Sequence, residues 1–378
     1  MMTLSEEQTL LVKSVRDFCE KKVKPFARQW DKEQRFPKDV VRELGHLGVL
    51  GIVVPEALGG SGLGYVEYAL VCEEVARYDG SLALTVASHN GLGSGHLGTF
   101  GTDAQKKKFM PMLARGEILG AWGLTEPGSG SDSAGMKTTA VKQGSKWILN
   151  GTKMFITQGT VAGCYVVLAV TNKEQRHRGI TAFMLEPGMK GFTTRPIHDK
   201  LGMRSSDTAE LIFENVELTD EHVVGEVGSG FIDTMKILDR GRISIAALGV
   251  GIIRGALEES LRYSKDRQAF GKPISDFQAI QWKLAAMATD YEAARLLTLR
   301  AAALADAKQP FSKEASMAKL FASEAAMRAA TEAVQIHGGY GYTQEFPVER
   351  YLRDAKLLEI GEGTSEVQRM VIARHLLA

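Results

Sequence analysis

The most reactive group the sequence sets apart is a single carboxylate. Glu362 stands between two glycines in the run Ile360-Gly-Glu-Gly-Thr-Ser-Glu-Val-Gln-Arg369. Glycine on both sides gives a side chain mobility and opens backbone angles closed to other residues. A carboxylate placed so can accept a proton in a reaction. It can equally complement the N-terminus of the helix that follows, whose cap is Thr364 or Ser365. A second segment, Leu124-Thr-Glu-Pro-Gly-Ser-Gly-Ser-Asp132, combines two glycines with Thr125, Ser129 and Ser131. Its free backbone N–H groups and hydroxyls suit a polar ring edge or a phosphate, or make an ordinary surface turn. A third, Gln335-Ile-His-Gly-Gly-Tyr-Gly-Tyr342, closes a long helical pattern. Gly338 and Gly339 there serve as a helix C-cap or let the backbone sit against a ligand. His337 has no second His or Cys near it and reads as a hydrogen-bonded structural histidine rather than a ligand.

One further match is weaker than it looks. Gly93-Ser-Gly95-His-Leu-Gly98 fits G-x-G-x-x-G, with apolar Leu82 to Ala87 before it and Glu117 beyond. That fingerprint binds dinucleotides when it joins a strand to a helix inside a βαβ unit. No such alternation surrounds it, and the upstream run can also be helical. The remaining readings are a helix junction where backbones approach closely, or glycines that leave room for a ligand.

The elements that must position these segments follow an α, then β, then α order. Ser5 and Gln8 form a capping-box pattern before Leu10, Leu11, Val15 and Phe18. Pro37 opens a second helix with Val40, Val41, Leu44 and Leu47 at helical spacing. Helices are also expected over 68–78 and 103–113. From about Gly120 to Gly228 the chain favours strands: Lys146 to Leu149, Thr152 to Thr157, Tyr165 to Thr171, Ile180 to Leu185 and Glu210 to Phe213. Asn150-Gly151 between the first two is a hairpin signal, since type I′ turns need positive φ at both central residues. Phe231 to Lys265, Asp276 to Ala307 and Lys313 to His337 are long, Ala-rich and periodic, lengths that suit a helix bundle.

Composition bounds the class. The chain has 378 residues, 44% hydrophobic and 24% charged, within the range of globular proteins large enough to bury a core without staples. A formal net charge of +1 argues against sequence-independent nucleic-acid binding, which needs a basic excess. Cys19, Cys72 and Cys164 are dispersed and odd in number, with no His/Cys cluster at metal-ligand spacing. A reduced, intracellular, metal-free protein is the expectation. Met1 to Lys24 carries charges throughout and lacks the apolar core of a signal peptide, and no apolar run reaches spanning length. The absence of an Arg-rich leader fits a bacterial cytoplasmic protein, as it would a processed organellar one, and no membrane insertion is expected.

Taken together, the three chemistry-bearing segments resemble the acyl-CoA dehydrogenase family, of short-chain or general bacterial type, from near residue 4 to the C-terminus. The resemblance rests on Thr125 to Asp132, Lys153-Met-Phe-Ile-Thr157, Met203-Arg-Ser-Ser-Asp-Thr208, Asp266-Arg-Gln-Ala-Phe-Gly271, the 335–342 segment and Gly361-Glu-Gly-Thr364. It implies an α+β multidomain fold. An N-terminal all-α domain would span 1–118, a middle β-barrel-like domain 119–228, and a C-terminal four-helix bundle carrying the base 229–378. It implies FAD, an acyl-CoA substrate, an electron-transfer flavoprotein as acceptor and a homotetramer.

By resemblance, Glu362 removes the α-proton and flavin N5 takes the β-hydride. A carboxylate of ordinary pKa about 4.3 is a poor base for a carbon acid. Desolvation by the acyl chain raises it, and hydrogen bonds to the thioester oxygen acidify the α-carbon. In the family those bonds come from a flavin hydroxyl and the base's own backbone N–H. Relatives acting on isovaleryl and long-chain thioesters hold the base on a helix just before an Arg. That position here is Gly241, in Leu238-Asp-Arg-Gly-Arg242, which leaves Glu362 as the candidate. Trp122, Leu124, Thr125, Gly130 and Ser131 resemble flavin contacts, as do Phe155, Ile156 and Thr157. Phe155 stands where Trp is usual, keeping the stacking surface and losing a donor. Arg267, Phe270, Gln278, Gln335, Gly338 and Gly339 resemble the segments that hold the FAD pyrophosphate and adenine, partly across a subunit interface. Thr364 and Glu366 also resemble flavin contacts. Ser131, Asp239, Arg242 and Gly363 resemble contacts on the CoA side. Arg242 beside Asp239 in an apolar helix reads as a buried ion pair or as a substrate contact.

One departure bears on substrate choice. The residue before the base is often Tyr in the family and is Gly361 here, while Gly91, Gly93 and Gly95 fall where relatives line the acyl pocket. A roomier pocket for branched, cyclic or longer acyl groups is the expectation. Three other readings stay open. One is an acyl-CoA oxidase, which usually carries a further C-terminal domain; the others are a silent CoA- or flavin-binding scaffold and a redox protein for another substrate.

Overall fold

The computed structural model describes residues 4–377. The outermost residues of the first and last expected segments lie outside the described residues. Seven helices come first: α1 (Glu6–Lys22), α2 (Ala27–Glu33), α3 (Lys38–His46), α4 (Tyr65–Ala76), α5 (Gly80–Ser88), α6 (Ser94–Phe100) and α7 (Asp103–Ala114). Ser5 caps α1 in the expected reciprocal pair with Gln8, and Pro37 precedes α3. The run before the glycine fingerprint is α5, and one π-helical turn, His89–Gly93, joins it to α6. No strand enters this turn, so the dinucleotide geometry is absent. The glycines permit close approach instead: a Cβ on Gly93 would lie 2.6 Å from the Gly120 carbonyl carbon.

Eight strands follow: β1 (Gly120–Gly123), β2 (Thr139–Gln143), β3 (Lys146–Thr157), β4 (Cys164–Val170), β5 (Ile180–Leu185), β6 (Phe192–Pro196), β7 (Thr208–Leu218) and β8 (Val223–Val224). They form one mixed sheet in the order β6-β7-β3-β2-β4-β5-β8, with β1 parallel to β4. Tyr165, Val167 and Ala169 of β4 meet Trp147, Leu149, Leu211 and Phe213 in one cluster, so the two wings of the sheet close over a shared core. Cys164, Val166 and Leu168 point the other way, into a cluster with Leu97, Phe109 and Leu113 from α6 and α7. Burial on both faces is why β4 and β5 read as unbroken apolar runs.

The Asn150-Gly151 hairpin expected from sequence does not form. Lys146 to Thr157 is a single strand, with an irregular register against β7 between Leu149 and Gly151. Asn150 Nδ2 donates to Asn215 Oδ1 at 3.1 Å, and the Asn215 N–H donates to Asn150 Oδ1 at 2.8 Å. The amide is thus spent across the ladder, and Gly151 lets Thr138 approach to where a Cβ would be 2.4 Å from Thr138 Oγ1. The real turn is Gly144-Ser145 between β2 and β3, with Gly144 at φ 61, the first central position where a type II′ turn needs glycine.

The last segment holds α8 (Gly230–Asp266), a small β9 (Gln268–Ala269) and β10 (Lys272–Pro273) ladder, α9 (Gln278–Asp306), α10 (Ser312–His337), α11 (Val348–Leu358) and α12 (Ser365–Leu377). Helices α8, α9 and α10 pack on one another, and α12 packs on α10. Glycines in α8 bring backbones close: a Cβ on Gly249 would meet the Ala322 carbonyl oxygen of α10 at 2.9 Å, and one on Gly251 the Glu73 carbonyl oxygen of α4 at 2.3 Å. A single apolar core therefore runs through α1, α3, α4 and α5 into α8, α9, α10 and α11.

Candidate active site

The turn between α11 and α12 carries Glu362. Its backbone is left-handed at two successive residues, Glu362 at φ 53 and Gly363 at φ 94. Ile360 and Gly361 N–H groups end α11 on the Leu357 carbonyl, and Ser365 N–H donates to the Glu359 carbonyl at 3.0 Å. Thr364 Oγ1 accepts from Val367 N–H, which makes Thr364 the cap of α12. The residue as a whole is half-buried, while Oε2 is enclosed and, among the described residues, has no hydrogen-bond partner. That oxygen lies over α8 at Gly241, where a Cβ would be only 2.1 Å away. The helix position that could have held a rival base is therefore the one whose missing side chain makes room for this carboxylate.

Charges gather round it. Burial pushes the Glu362 carboxyl up to about 7, and Lys319 and then Arg242 pull it down. Arg242 donates to Asp239 Oδ1 at 2.5 Å and to Ser316 Oγ at 3.3 Å, and Ser312 Oγ donates to the same Asp239 oxygen at 2.8 Å. Burial lowers the Arg242 guanidinium and raises the Asp239 carboxyl, so each opposes what the pairing favours. Arg242 is ion-paired as one reading expects, and among the described residues its Nε is buried without a partner. Gly91 belongs to this group, since a Cβ there would meet Tyr68 Oη at 3.3 Å, Ser244 Oγ at 3.6 Å and Gly241 Cα at 3.7 Å. A Cβ on Gly361 would meet nothing nearer than the Leu357 carbonyl oxygen at 3.5 Å. The Leu357 side chain also borders that position at 3.8 Å, so a Cβ would fit in ordinary contact.

The 124–132 segment is more than a surface turn. Glu126 and Ser129 exchange backbone hydrogen bonds at 2.9 and 3.1 Å, and Ser129 Oγ donates to the Asp132 carbonyl at 2.5 Å. Beneath it lies a pair the sequence reading passed over. Lys153 Nζ, fully buried, donates to Glu126 Oε1 at 2.8 Å and to the Leu124 carbonyl at 3.0 Å. Glu126 also accepts from the Lys137 and Thr138 N–H groups at 2.6 and 2.9 Å. Burial acts to raise Glu126, and Lys153 with these donors holds it below the usual carboxylate range; burial pulls Lys153 down to about 8. The signal was legible: Lys153 is an inward-facing lysine in an alternating strand, which needs a partner.

Phe155 stands beside this loop in a β-bulge at φ 60, and 65% of it is exposed. Ile156 is buried and Thr157 half-buried next to it. Trp122 and Leu124 are buried, and the Trp122 indole N–H donates to His96 Nδ1 at 3.1 Å. Thr125 is half-buried, its carbonyl accepting from Met154 N–H at 2.8 Å, and Gly130 and Ser131 are exposed. An exposed ring held by a strained backbone beside free glycine N–H groups fits a flat, polar-edged aromatic cofactor such as FAD.

The remaining expected contacts collect elsewhere. Arg267 lies over the Tyr340 ring at 6.0 Å, Phe270 is 96% exposed, and Gln278, Gln335, Gly338 and Gly339 are exposed with it at one end of the bundle. Gly338 is also the C-cap of α10, and His337 is structural as expected, with Nδ1 on the Ala333 carbonyl at 2.8 Å. Lys319 and Gln335 are both on α10, separated by about 24 Å of helix. The Arg267 patch is thus a second, separate group in this chain. Glu366 is exposed on the first turn of α12.

Comparison with known proteins bears on both groups. The chain matches the family descriptions "Acyl-CoA dehydrogenase, N-terminal domain" over residues 5–117, "middle domain" over 121–216 and "C-terminal domain" over 228–377. It is 47% identical over 375 residues to a probable acyl-CoA dehydrogenase, YngJ, of Bacillus subtilis, covering 99% of each chain. The structure of butyryl-CoA dehydrogenase from Megasphaera elsdenii superposes with a TM-score of 0.98 at 44% identity, covering 100% of both chains. An acyl-CoA dehydrogenase from Bacillus anthracis complexed with FAD superposes with a TM-score of 0.93 at 36% identity, covering 99% of this chain and 67% of that one.

Proposed function

The chain belongs to the acyl-CoA dehydrogenase family, and on that premise we propose that it oxidises an acyl-CoA thioester to the trans-2-enoyl-CoA, with FAD as cofactor and Glu362 as base. The observation that carries this reading is the enclosed, unpartnered Glu362 Oε2 over Gly241. A carboxylate up at about 7 is matched to proton abstraction near neutral pH, which an ordinary glutamate is not. An acyl chain that displaces water from this site strengthens the match.

The chain's own residues divide the work. Glu362 takes the α-proton at its free oxygen. Its backbone N–H, on a left-handed turn, is the candidate donor to the thioester oxygen, where a positioned donor is worth about 3 kcal/mol of barrier. Arg242 and Asp239, with Ser131 and Gly363, bind the CoA side. Phe155 and the Thr125 to Ser131 loop, stiffened by Lys153 and Glu126, would hold the flavin ring, with Trp122, Leu124, Ile156, Thr157, Thr364 and Glu366 as its further contacts. The flavin, when bound, supplies the two-electron acceptor for the β-hydride. Arg267, Phe270, Gln278, Gln335, Gly338 and Gly339 hold the pyrophosphate and adenine end of a neighbouring copy's flavin. The exposure of Phe270, Gly338 and Gly339 suits a partner copy's cofactor, and the homotetramer is taken from the family resemblance. Electron-transfer flavoprotein takes the electrons onward, in the bacterial cytoplasm. The three units divide at 118/119 and 228/229.

Butyryl-CoA is the starting substrate. Glycine in place of the family's usual Tyr at 361 is the basis for extending the range to branched, cyclic or longer chains. Anaerobic bleaching of the flavin band against straight, branched and cyclic acyl-CoAs tests this. Bleaching by butyryl-CoA and by at least one branched thioester is expected, with slow oxygen consumption on readmitting air. Fast oxygen consumption would move the reading to an oxidase, and bleaching restricted to straight four-carbon chains would end the case for a roomier pocket.

A further inference from the structure

We propose that Lys319 is a positioning residue for the base: its ammonium and the Gln368 amide grip the Gly363 carbonyl and so hold the left-handed turn that aims the Glu362 carboxylate over Gly241. The proposal rests on Glu362 being the base and extends it to two side chains with no part in the reading above.

The geometry is specific. Lys319 Nζ donates to the Gly363 carbonyl oxygen at 2.7 Å, and Gln368 Nε2 donates to the same oxygen at 2.8 Å. Gln368 comes from α12, the helix the turn leads into, and Lys319 from α10, which packs against both α11 and α12, so the turn is pinned from two separate elements. The turn needs pinning. A glutamate at φ 53 followed by a glycine at φ 94 is a conformation an L-residue adopts only when its surroundings impose it. Gly363 also gives Gln368 the room, since a Cβ there would stand 2.7 Å from Nε2.

Lys319 is an odd choice for a mere backbone clamp. It is fully buried, and among the described residues no carboxylate oxygen lies within salt-bridge distance of its ammonium. A buried ammonium held by a carbonyl is costly where a neutral donor would serve the same bond. Its charge therefore has a use of its own, and the nearest one is electrostatic. Glu362 is the leading charge acting on Lys319 and Lys319 the leading charge acting on Glu362. The other titratable groups around the pair are Arg242 and Asp239 on α8, Glu359 at the end of α11, Glu366 on α12, and Tyr68 and Cys72 on α4, both kept neutral by burial. The lysine thus fixes where the carboxylate is and limits how far burial raises it.

The test is the reductive half-reaction of the FAD-loaded enzyme with butyryl-CoA from pH 5 to 9, for Lys319→Met, Lys319→Arg and Gln368→Leu. Flavin content and thermal midpoint serve as folding controls. Removing the cation favours the protonated carboxyl, so the acid limb moves to higher pH. Lys319→Met is expected to shift that limb up by about one pH unit, a tenfold loss of rate on the acid side, with binding of a non-reactive CoA thioether little changed. Lys319→Arg keeps the charge and is expected to keep the limb. Gln368→Leu weakens the clamp without touching charge, and is expected to lower the rate constant at every pH with the limb in place. It also keeps the idea testable if Lys319→Met does not load flavin. An unmoved acid limb in Lys319→Met, or a full wild-type rate in Gln368→Leu, overturns the proposal. Glu362→Gln run alongside separates the two levels: if that variant still bleaches at the wild-type rate, the base assignment itself has failed.

Discussion

At the scale of single residues, the site is built from side chains that are missing as much as from those present. Gly241 is the clearest case: Oε2 of Glu362 occupies the space its Cβ would take. Gly241→Ala is therefore expected to displace the carboxylate and slow bleaching by butyryl-CoA about tenfold or more, with flavin content unchanged, since small misplacements of a reacting group carry large rate costs. Stopped-flow on the loaded variant checks this. Glu362 also makes a stability prediction. Its folded pKa of about 7 lies above the ordinary value near 4.5, so the folded state prefers it neutral. The resulting destabilisation is full above pH 7 and fades as pH falls from 7 toward 4.5. Glu362→Gln without substrate should thus be more stable than wild type by about 1–3 kcal/mol at pH 8, with the gain gone near pH 4.5. Denaturant titration at the two pH values measures it. Of these residues, Glu362 was set apart in the sequence by its two glycines, while its assignment as base came from the family resemblance. The role of Gly241 was legible only as the absence of a rival base; that its missing Cβ is filled by Glu362 needed the crossing of α8 with the turn before α12.

At the scale of elements, sequence signals succeeded where they were local. The Ser5 cap, Pro37 and the long Ala-rich helices depend on neighbours within a turn or two, and the structure has them. The Asn150-Gly151 hairpin failed because a strand from elsewhere, β7, offered Asn150 a partner in Asn215. A Gly-Ser pair six residues earlier took the turn instead. The Lys153 and Glu126 pair was missed for a similar reason, since its partners come from a strand and a loop 27 residues apart. Removing one partner of a buried pair leaves the other charge uncompensated. Lys153→Met should cost about 3 kcal/mol or more of stability and loosen the 124–132 loop, and flavin should be lost on gel filtration at concentrations where wild type keeps it. Phe155→Ala provides the contrast: an exposed ring, little effect on thermal stability, and weakened flavin retention.

At the scale of the whole molecule, three segments are tied at one buried carboxylate. Met203 N–H, in the loop leading into β7, donates to Asp354 Oδ1 of α11 at 2.5 Å, and Gly80 of α5 packs on the other oxygen, where a Cβ would be 3.1 Å away. Burial pushes Asp354 up to about 7 against the pull of Arg350. At pH 5, where the carboxyl is neutral and its burial carries no charge penalty, Asp354→Ala leaves the buried Met203 N–H without its acceptor and should lower stability by about 1–3 kcal/mol, seen as an earlier thermal transition. The family resemblance reached this scale through motifs spread along the chain; the tie itself was not visible, because Met203 and Asp354 lie far apart in sequence. On the proposed reading, the exposed Arg267 and Phe270 patch serves the flavin of a neighbouring copy. Arg267→Glu should release flavin from every site while leaving the monomer fold intact by circular dichroism.

The central claim is that Glu362 takes the α-proton, and single-turnover bleaching by butyryl-CoA without oxygen tests it most directly. Wild type and Glu362→Gln are compared at equal flavin occupancy and at saturating thioester. The account predicts rapid loss of the oxidised flavin band in wild type, and in the variant a rate lower by about four orders of magnitude with thioester still bound. Bleaching in Glu362→Gln within a few fold of wild type would contradict it, and would move the base to another group in the site.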